Sequence, residues 1–309
     1  MGVARCGERC AQLQQAVDLT LKKRPALRTV VEPFGAALLE RTFVVEKLHA
    51  EMADVNLWDH SDRLSSGTPV MSAIPPATLK TPVGKAATDL LPILEGSFKS
   101  LAAEFGAIEK YLHEGVLDMG RLGKAYLDSD EETFRSTVQD SPISAEALKF
   151  VVYWALSAVL QAARLHWSIP DSHSAWSKSE CAFCGSGPGL ASLSRPPETV
   201  SEFFTAGGGQ RYLHCALCGH QWRFERNRCP SCHANGKDDL VYYQESAETG
   251  ERIYACRKCN RYLLCIDLRQ RPGSASMDLA ALGMVHLDIL AQGKGYRPIA
   301  RVPWNRIDP

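Results

Sequence analysis

Four Cys-x-x-Cys pairs lie between Cys181 and Cys259: Cys181-Ala-Phe-Cys184, Cys215-Ala-Leu-Cys218, Cys229-Pro-Ser-Cys232 and Cys256-Arg-Lys-Cys259. They use most of the 11 cysteines in the chain. Such a turn aims two thiolates at one point, and two turns complete a tetrahedral four-sulfur set suited to zinc or iron. Four turns therefore imply two metal ions. A four-sulfur set is closed and leaves no position for water or substrate, so the chemistry is structural or redox rather than hydrolytic. No Ser/His/Asp set, Gly-rich phosphate loop or His-Glu-x-x-His motif accompanies it. The chain therefore reads as a non-enzyme.

The spacing decides how the pairs combine. The gaps between successive pairs are 30, 10 and 23 residues. The 23-residue gap reads strand, turn, strand: Leu240-Val241-Tyr242-Tyr243, then Glu248-Thr249-Gly250, then Ile253-Tyr254-Ala255. That is the layout of a zinc ribbon or rubredoxin-like unit. The 30-residue gap holds the same layout with excursions at Arg195-Pro196-Pro197 and Gly207-Gly208-Gly209. Site 1 is thus assigned to Cys181, Cys184, Cys215 and Cys218, and site 2 to Cys229, Cys232, Cys256 and Cys259. An interleaved pairing is the alternative. Gly185, Gly219, His233 and Asn260 follow the four pairs. A knuckle turns back past its metal through a left-handed residue, and these are residue types enriched there.

The remaining candidates have plainer readings. Cys265 falls in Leu263-Leu264-Cys265-Ile266 and reads as a buried apolar residue rather than a ninth ligand. Cys6 and Cys10, one helical turn apart, lack further ligands and read as structurally bland. His214 and His220 read as solvent-facing. Arg223, Arg226 and Arg228 cluster around Trp222 and Phe224. That patch could stack on bases, dock a protein, or be a solvated strand face. Charge argues against a polyanion partner. Lys+Arg and Asp+Glu both number 35, and the net over 181–270 is only +2.

The elements that must position these cysteines change character along the chain. Residues 1–167 have helical periodicity and read as an all-α domain. A first helix carries Leu13, Val17 and Leu21; a second is expected after Pro33. Asp62–Pro92, with Ser65-Ser66-Gly67-Thr68-Pro69, Pro75-Pro76 and Thr81-Pro82, reads as loop, with helix resuming near Thr88. Short helices follow, including Glu131–Val138. A helix from Ser144 to about Leu165 is apolar around most of its circumference, as a buried helix should be. The polar stretch 168–180 reads as a linker. Residues 181–228 and 229–270 read as two tandem small β modules of rubredoxin-like or zinc-ribbon type. Their strands are expected at 210–214, 221–224, 240–244, 252–255 and 262–268. A C-terminal helix and extended tail complete 271–309. The N-terminus lacks the apolar stretch of a secretory signal, and Phe150–Leu160 is too short to span a bilayer. A cytoplasmic protein without membrane insertion is the expectation.

This arrangement resembles the FdhE family of formate dehydrogenase accessory proteins. The resemblance is carried by the four pairs, by the Cys-Gly knuckles at 184–185 and 218–219, and by the run Leu287-Asp288-Ile289-Leu290-Ala291-Gln292-Gly293-Lys294-Gly295-Tyr296. It implies a cytoplasmic maturation factor that contacts the catalytic subunit of respiratory formate dehydrogenase before that enzyme is exported. It also implies rubredoxin-like centres associated with iron, with zinc the other candidate. His233 and Asn260 depart from the Cys-Gly pattern at site 2. An iron electron-transfer protein and a zinc-ribbon nucleic-acid binder are the alternative readings.

Overall fold

A computed structural model describes residues 8–52, 61–167, 176–194, 209–244, 250–269 and 276–306. The chain divides into two compact units. One comprises Met1–Ser168 with Phe183–Gly185; the other comprises Ile169–Ala182 with Ser186–Pro309.

The first unit is helical: α1 Glu8–Lys23, α2 Arg28–Glu51, α3 Ser61–Ser65, α4 Pro76–Ser97, α5 Ala102–His113, α6 Met119–Asp128, α7 Glu131–Val138 and α8 Ala145–Leu165. The centre of the unit is α8, buried without interruption from Val151 to Leu160. By length and composition it could cross a membrane, yet 72% of its most apolar window is buried inside the protein. It is the core helix, against which α2, α4 and α6 pack. Phe34, Phe98, Phe105, Phe150 and Trp154 form a chain of ring contacts within this core. Three helices of this unit start on side-chain caps. The Asp118 carboxylate accepts from the Gly120 and Arg121 N–H groups, Asp130 from Thr133, and Ser144 from Ala147.

Prolines misled the sequence reading of this unit twice. Helix α2 begins at Arg28, ahead of Pro33, because a 3-10 turn at Pro25–Leu27 runs straight into it. Helix α4 begins at Pro76 and carries Pro82 and Pro92 inside it, where a loop was expected up to Thr88. An internal proline costs a helix about 3 kcal/mol. Here Leu79, Val83, Ala86, Ala87, Leu90, Leu91 and Leu94 are all buried at helical spacing. At roughly 1.5–3 kcal/mol for each large apolar side chain, that stripe outweighs two lost hydrogen bonds.

The second unit is built on one sheet. Its strands are β1 Pro188–Leu193, β2 Arg211–Cys215, β3 Gln221–Arg223, β4 Leu240–Gln244, β5 Glu251–Cys256, β6 Arg261–Asp267 and β7 Arg297–Pro298. The order is β3-β2-β1-β6-β5-β4, with β7 also pairing β6. Neighbours within each cysteine module are antiparallel. The modules join through β1 and β6, which run parallel with Ala191 opposite Cys265 and Leu193 opposite Asp267. The two cysteine modules thus share a single sheet. Strand β1 was absent from the sequence reading. Its Pro-Gly start and small residues carry little strand propensity, and pairing on both edges supplies what propensity does not.

The C-terminal helix is two short helices, α9 Met277–Gly283 and α10 Val285–Gly293, broken at Met284. A 3-10 turn at Pro303–Asn305 closes the described tail. A buried polar network ties these pieces to the sheet. The Tyr262 hydroxyl donates to Asp288 at 2.6 Å, and the Gln292 amide donates to both the Tyr262 hydroxyl and the Asn305 carbonyl. Of the 168–180 stretch, residues 176–180 are described. Trp176 is buried there, and its indole donates to the Glu180 carbonyl. The Arg195-Pro196-Pro197 excursion, Gly207-Gly208 and Glu248-Thr249 lie outside the described residues.

Candidate metal centres

The cysteines are presented by strand ends and the tight turns between them. Cys215 ends β2, and Cys218 follows on the turn into β3. Cys256 ends β5, and Cys259 follows on the turn into β6. In each module a second knuckle faces this one from the segment ahead of its strands. The residue after every pair has positive φ: Gly185 at 82°, Gly219 at 68°, His233 at 59° and Asn260 at 51°. The left-handed turn expected from residue type is therefore present at all four knuckles.

The knuckle backbone is held by a repeating bond. The Cys181 N–H donates to the Ser186 carbonyl, Cys215 to His220 and Cys229 to Ala234. Backbone N–H groups also point at sulfur: Leu217 and Cys218 at the Cys215 Sγ, and Ser231 at the Cys229 Sγ. Such donors favour thiolate over thiol.

Sulfurs of Cys181, Cys184, Cys215 and Cys218 converge in one set, and those of Cys229, Cys232, Cys256 and Cys259 in another, each within 4.8 Å. The Cys181–Cys218 Sγ separation is 3.5 Å, Cys229–Cys259 is 3.8 Å and Cys232–Cys256 is 3.6 Å. Metal–sulfur bonds of about 2.3 Å give a tetrahedron with edges of about 3.8 Å. Two four-cysteine groups thus converge so that they could hold two metal ions. Site 1 is fully buried, whereas Cys232 and Cys259 leave site 2 half-exposed. Burial pushes the Cys229 thiol up to about 12 and also raises Cys256. A metal ion bound there would take the place of thiol protons.

Other residues move from their expected places. His214 and His220 are buried, not solvent-facing. A His214 ring nitrogen lies 3.0 Å from Asp278 Oδ1 in α9, and the His220 ring stacks on Trp222. Cys265 is fully buried as expected, and burial pushes its thiol up to about 12. Cys10 is disulfide-bonded, contrary to the bland helical reading, and Cys6 lies outside the described residues. The aromatic-basic patch is not a stacking platform. Trp222 and Phe224 point inward, and the Trp222 indole donates to the Lys178 carbonyl, while Arg223 and Arg226 alternate outward.

One residue of consequence escaped the sequence reading. Arg211 opens β2 and is 3% exposed. Its guanidinium lies over Phe224 and donates to the Arg226 and Arg228 carbonyls. Period-two alternation could have found it, since Arg211 shares the phase of Leu213 and Cys215.

Fold and site together define a class: a helical unit joined to a single sheet bearing two closed four-cysteine sites. No protein-family model matches the chain. It is 30% identical over 166 residues to the protein FdhE homolog of Aquifex aeolicus (strain VF5), covering 54% of this chain and 55% of that protein. It is 31% identical over 145 residues to the homolog of Stutzerimonas stutzeri (strain A1501), covering 46% and 44%. The chain spans about half the length of the curated relatives it matches. The crystal structure of the FdhE protein from Pseudomonas aeruginosa shares its fold, with a TM-score of 0.58 at 19% identity, covering 97% of this chain and 95% of that one. These matches support the FdhE family, the one that the cysteine pairs resemble.

Proposed function

We propose that this chain is an accessory factor, not an enzyme, for the formation of active formate dehydrogenase. It acts in the cytoplasm and binds the catalytic subunit of that enzyme before export. The eight cysteines ligate two metal ions, which hold the sheet unit in shape for that contact. The observation that carries this reading is the closed geometry of both four-cysteine sets, which leaves no open position for a substrate. The likeness to proteins named FdhE homolog supports the accessory role.

The test is capture of the catalytic subunit by the tagged full-length chain, together with formate oxidation in a strain lacking the gene. Enrichment over a control and loss of oxidation are expected. No enrichment with normal oxidation would sink the proposal.

A rubredoxin-like electron carrier is the second reading. The backbone N–H groups aimed at Cys215 and Cys229 favour it, since such donors set the potential of thiolate-bound iron. Anaerobically purified protein would then be red and bleach on reduction. A colourless protein with two zinc ions per chain excludes it.

A further inference from the structure

Arg211 ties the strand of one four-cysteine set to the segment that leads into the other. It opens β2, the strand that ends in Cys215 of site 1. Its backbone carbonyl accepts from the Phe224 N–H, and its guanidinium donates to the Arg226 carbonyl at 3.2 Å and to the Arg228 carbonyl at 2.8 Å. Arg228 directly precedes Cys229, the first ligand of site 2. One side chain thus holds the whole segment that leads from β3 to the second centre. That segment is outside the strands, so its carbonyls would otherwise need water.

The charge of this side chain is also unusual. Among the described residues no carboxylate pairs with Arg211, and its Nε has no partner. It lines a small cavity together with Arg228, Arg261, Cys229 and Cys256. A buried cation without a carboxylate is costly. Four thiolates around a divalent ion carry a net charge of −2, and Cys229 and Cys256 put that charge in the same cavity wall. The positive lining therefore answers the second centre and is not a seat for a free anion.

We propose that Arg211 couples the two centres, so that a metal ion in either one raises the affinity of the other. Metal at site 1 fixes the Cys215–Cys218 knuckle and with it β2 and β3. The fixed strand holds the Arg211 fork against the 226–228 carbonyls and presents Cys229 already placed. By linkage the effect runs equally in reverse. The proposal rests on the reading that both four-cysteine sets ligate metal.

The experiment is titration of the full-length apoprotein with Co²⁺, followed by thiolate-to-metal absorption and competed with a chelator. Two ions bound per chain supports the underlying reading; fewer than two overturns that reading and is seen before coupling is measured. Site 2 affinity is then compared with and without Cys181→Ser/Cys184→Ser, and site 1 affinity with and without Cys232→Ser/Cys259→Ser. A loss of about tenfold is expected in each direction, within the usual range for coupled sites. In an Arg211→Met background the loss should shrink to less than twofold. Equal affinities with and without the other site overturn the proposal, and so does full coupling in the Arg211→Met protein. The first comparison keeps Arg211, so the proposal is testable even if Arg211→Met does not fold.

Discussion

Asp288 is the residue where chemistry and fold pull against each other. It is buried in α10 and accepts a hydrogen bond from the Tyr262 hydroxyl. Burial pushes its carboxyl up to about 7, and the Tyr262 bond only partly opposes this. A carboxyl raised in the fold gives stability that is complete below its unfolded value near 4 and is lost as pH rises through 7. Asp288→Asn removes the titration and keeps an acceptor for Tyr262. Urea unfolding of this variant should show no fall in stability between pH 5 and 8, with a gain over the parent of about 1–2 kcal/mol at pH 8. A variant with the parent's slope would show that Asp288 is not the titrating group. At this scale the sequence was most legible. The residue types of Gly185, Gly219, His233 and Asn260 foretold their backbone conformation, because sterics alone decide it. The burial of His214 was not legible, since it depends on α9 arriving from elsewhere in the chain.

Among the elements, the α4–α6 crossing has no room for a side chain at Gly120. A Cβ on Gly120 would meet the Pro76 carbonyl oxygen at 2.2 Å and the Lys80 backbone nitrogen at 3.0 Å. Both are main-chain atoms that cannot swing aside. Gly120→Ala would ordinarily favour a helix by about 1 kcal/mol. Here the clash should prevail and cost about 1–3 kcal/mol, read as a lower Tm of the helical unit. An unchanged or higher Tm would show that the crossing can widen. Helices α7 and α8 could be read in the sequence from strong caps or a long apolar run, and α1 from the spacing of Leu13 and Val17. Helix α4 could not be read through its prolines, because its stability comes from the neighbours that bury its stripe. Strand β1 was hidden for the same reason.

Across the whole molecule, both units bury apolar residues, but the neighbourhood of site 2 buries few. The helical unit buries its own apolar core around α8. Near site 2, among the described residues, a small apolar cluster of Cys229, Ala234 and Cys256 with partly buried neighbours is too little to hold a knuckle without metal. Chelation should therefore loosen the site 2 knuckles, read as faster amide exchange around Cys229–Ala234, and leave most of the helical circular dichroism. A single cooperative loss of all structure would contradict this. Spacing alone groups the eight cysteines into two sets, and the same eight sulfurs converge in two sets in the fold. Spacing does not reveal the single sheet, because parallel pairing between distant strands leaves no local trace.

That parallel pairing has a consequence for the order in which the chain is made. Strand β1 ends at Leu193, yet its partner β6 begins only at Arg261. The first module can close around its metal while β1 still presents an unpaired edge to the cell. Strand edges of that kind recruit other chains. Release from the ribosome before Asp267 should thus give aggregates even with site 1 filled, and a chain ending at Arg228 that stays soluble with metal bound would refute it. The second module then serves as the cover that makes the first one safe to synthesise.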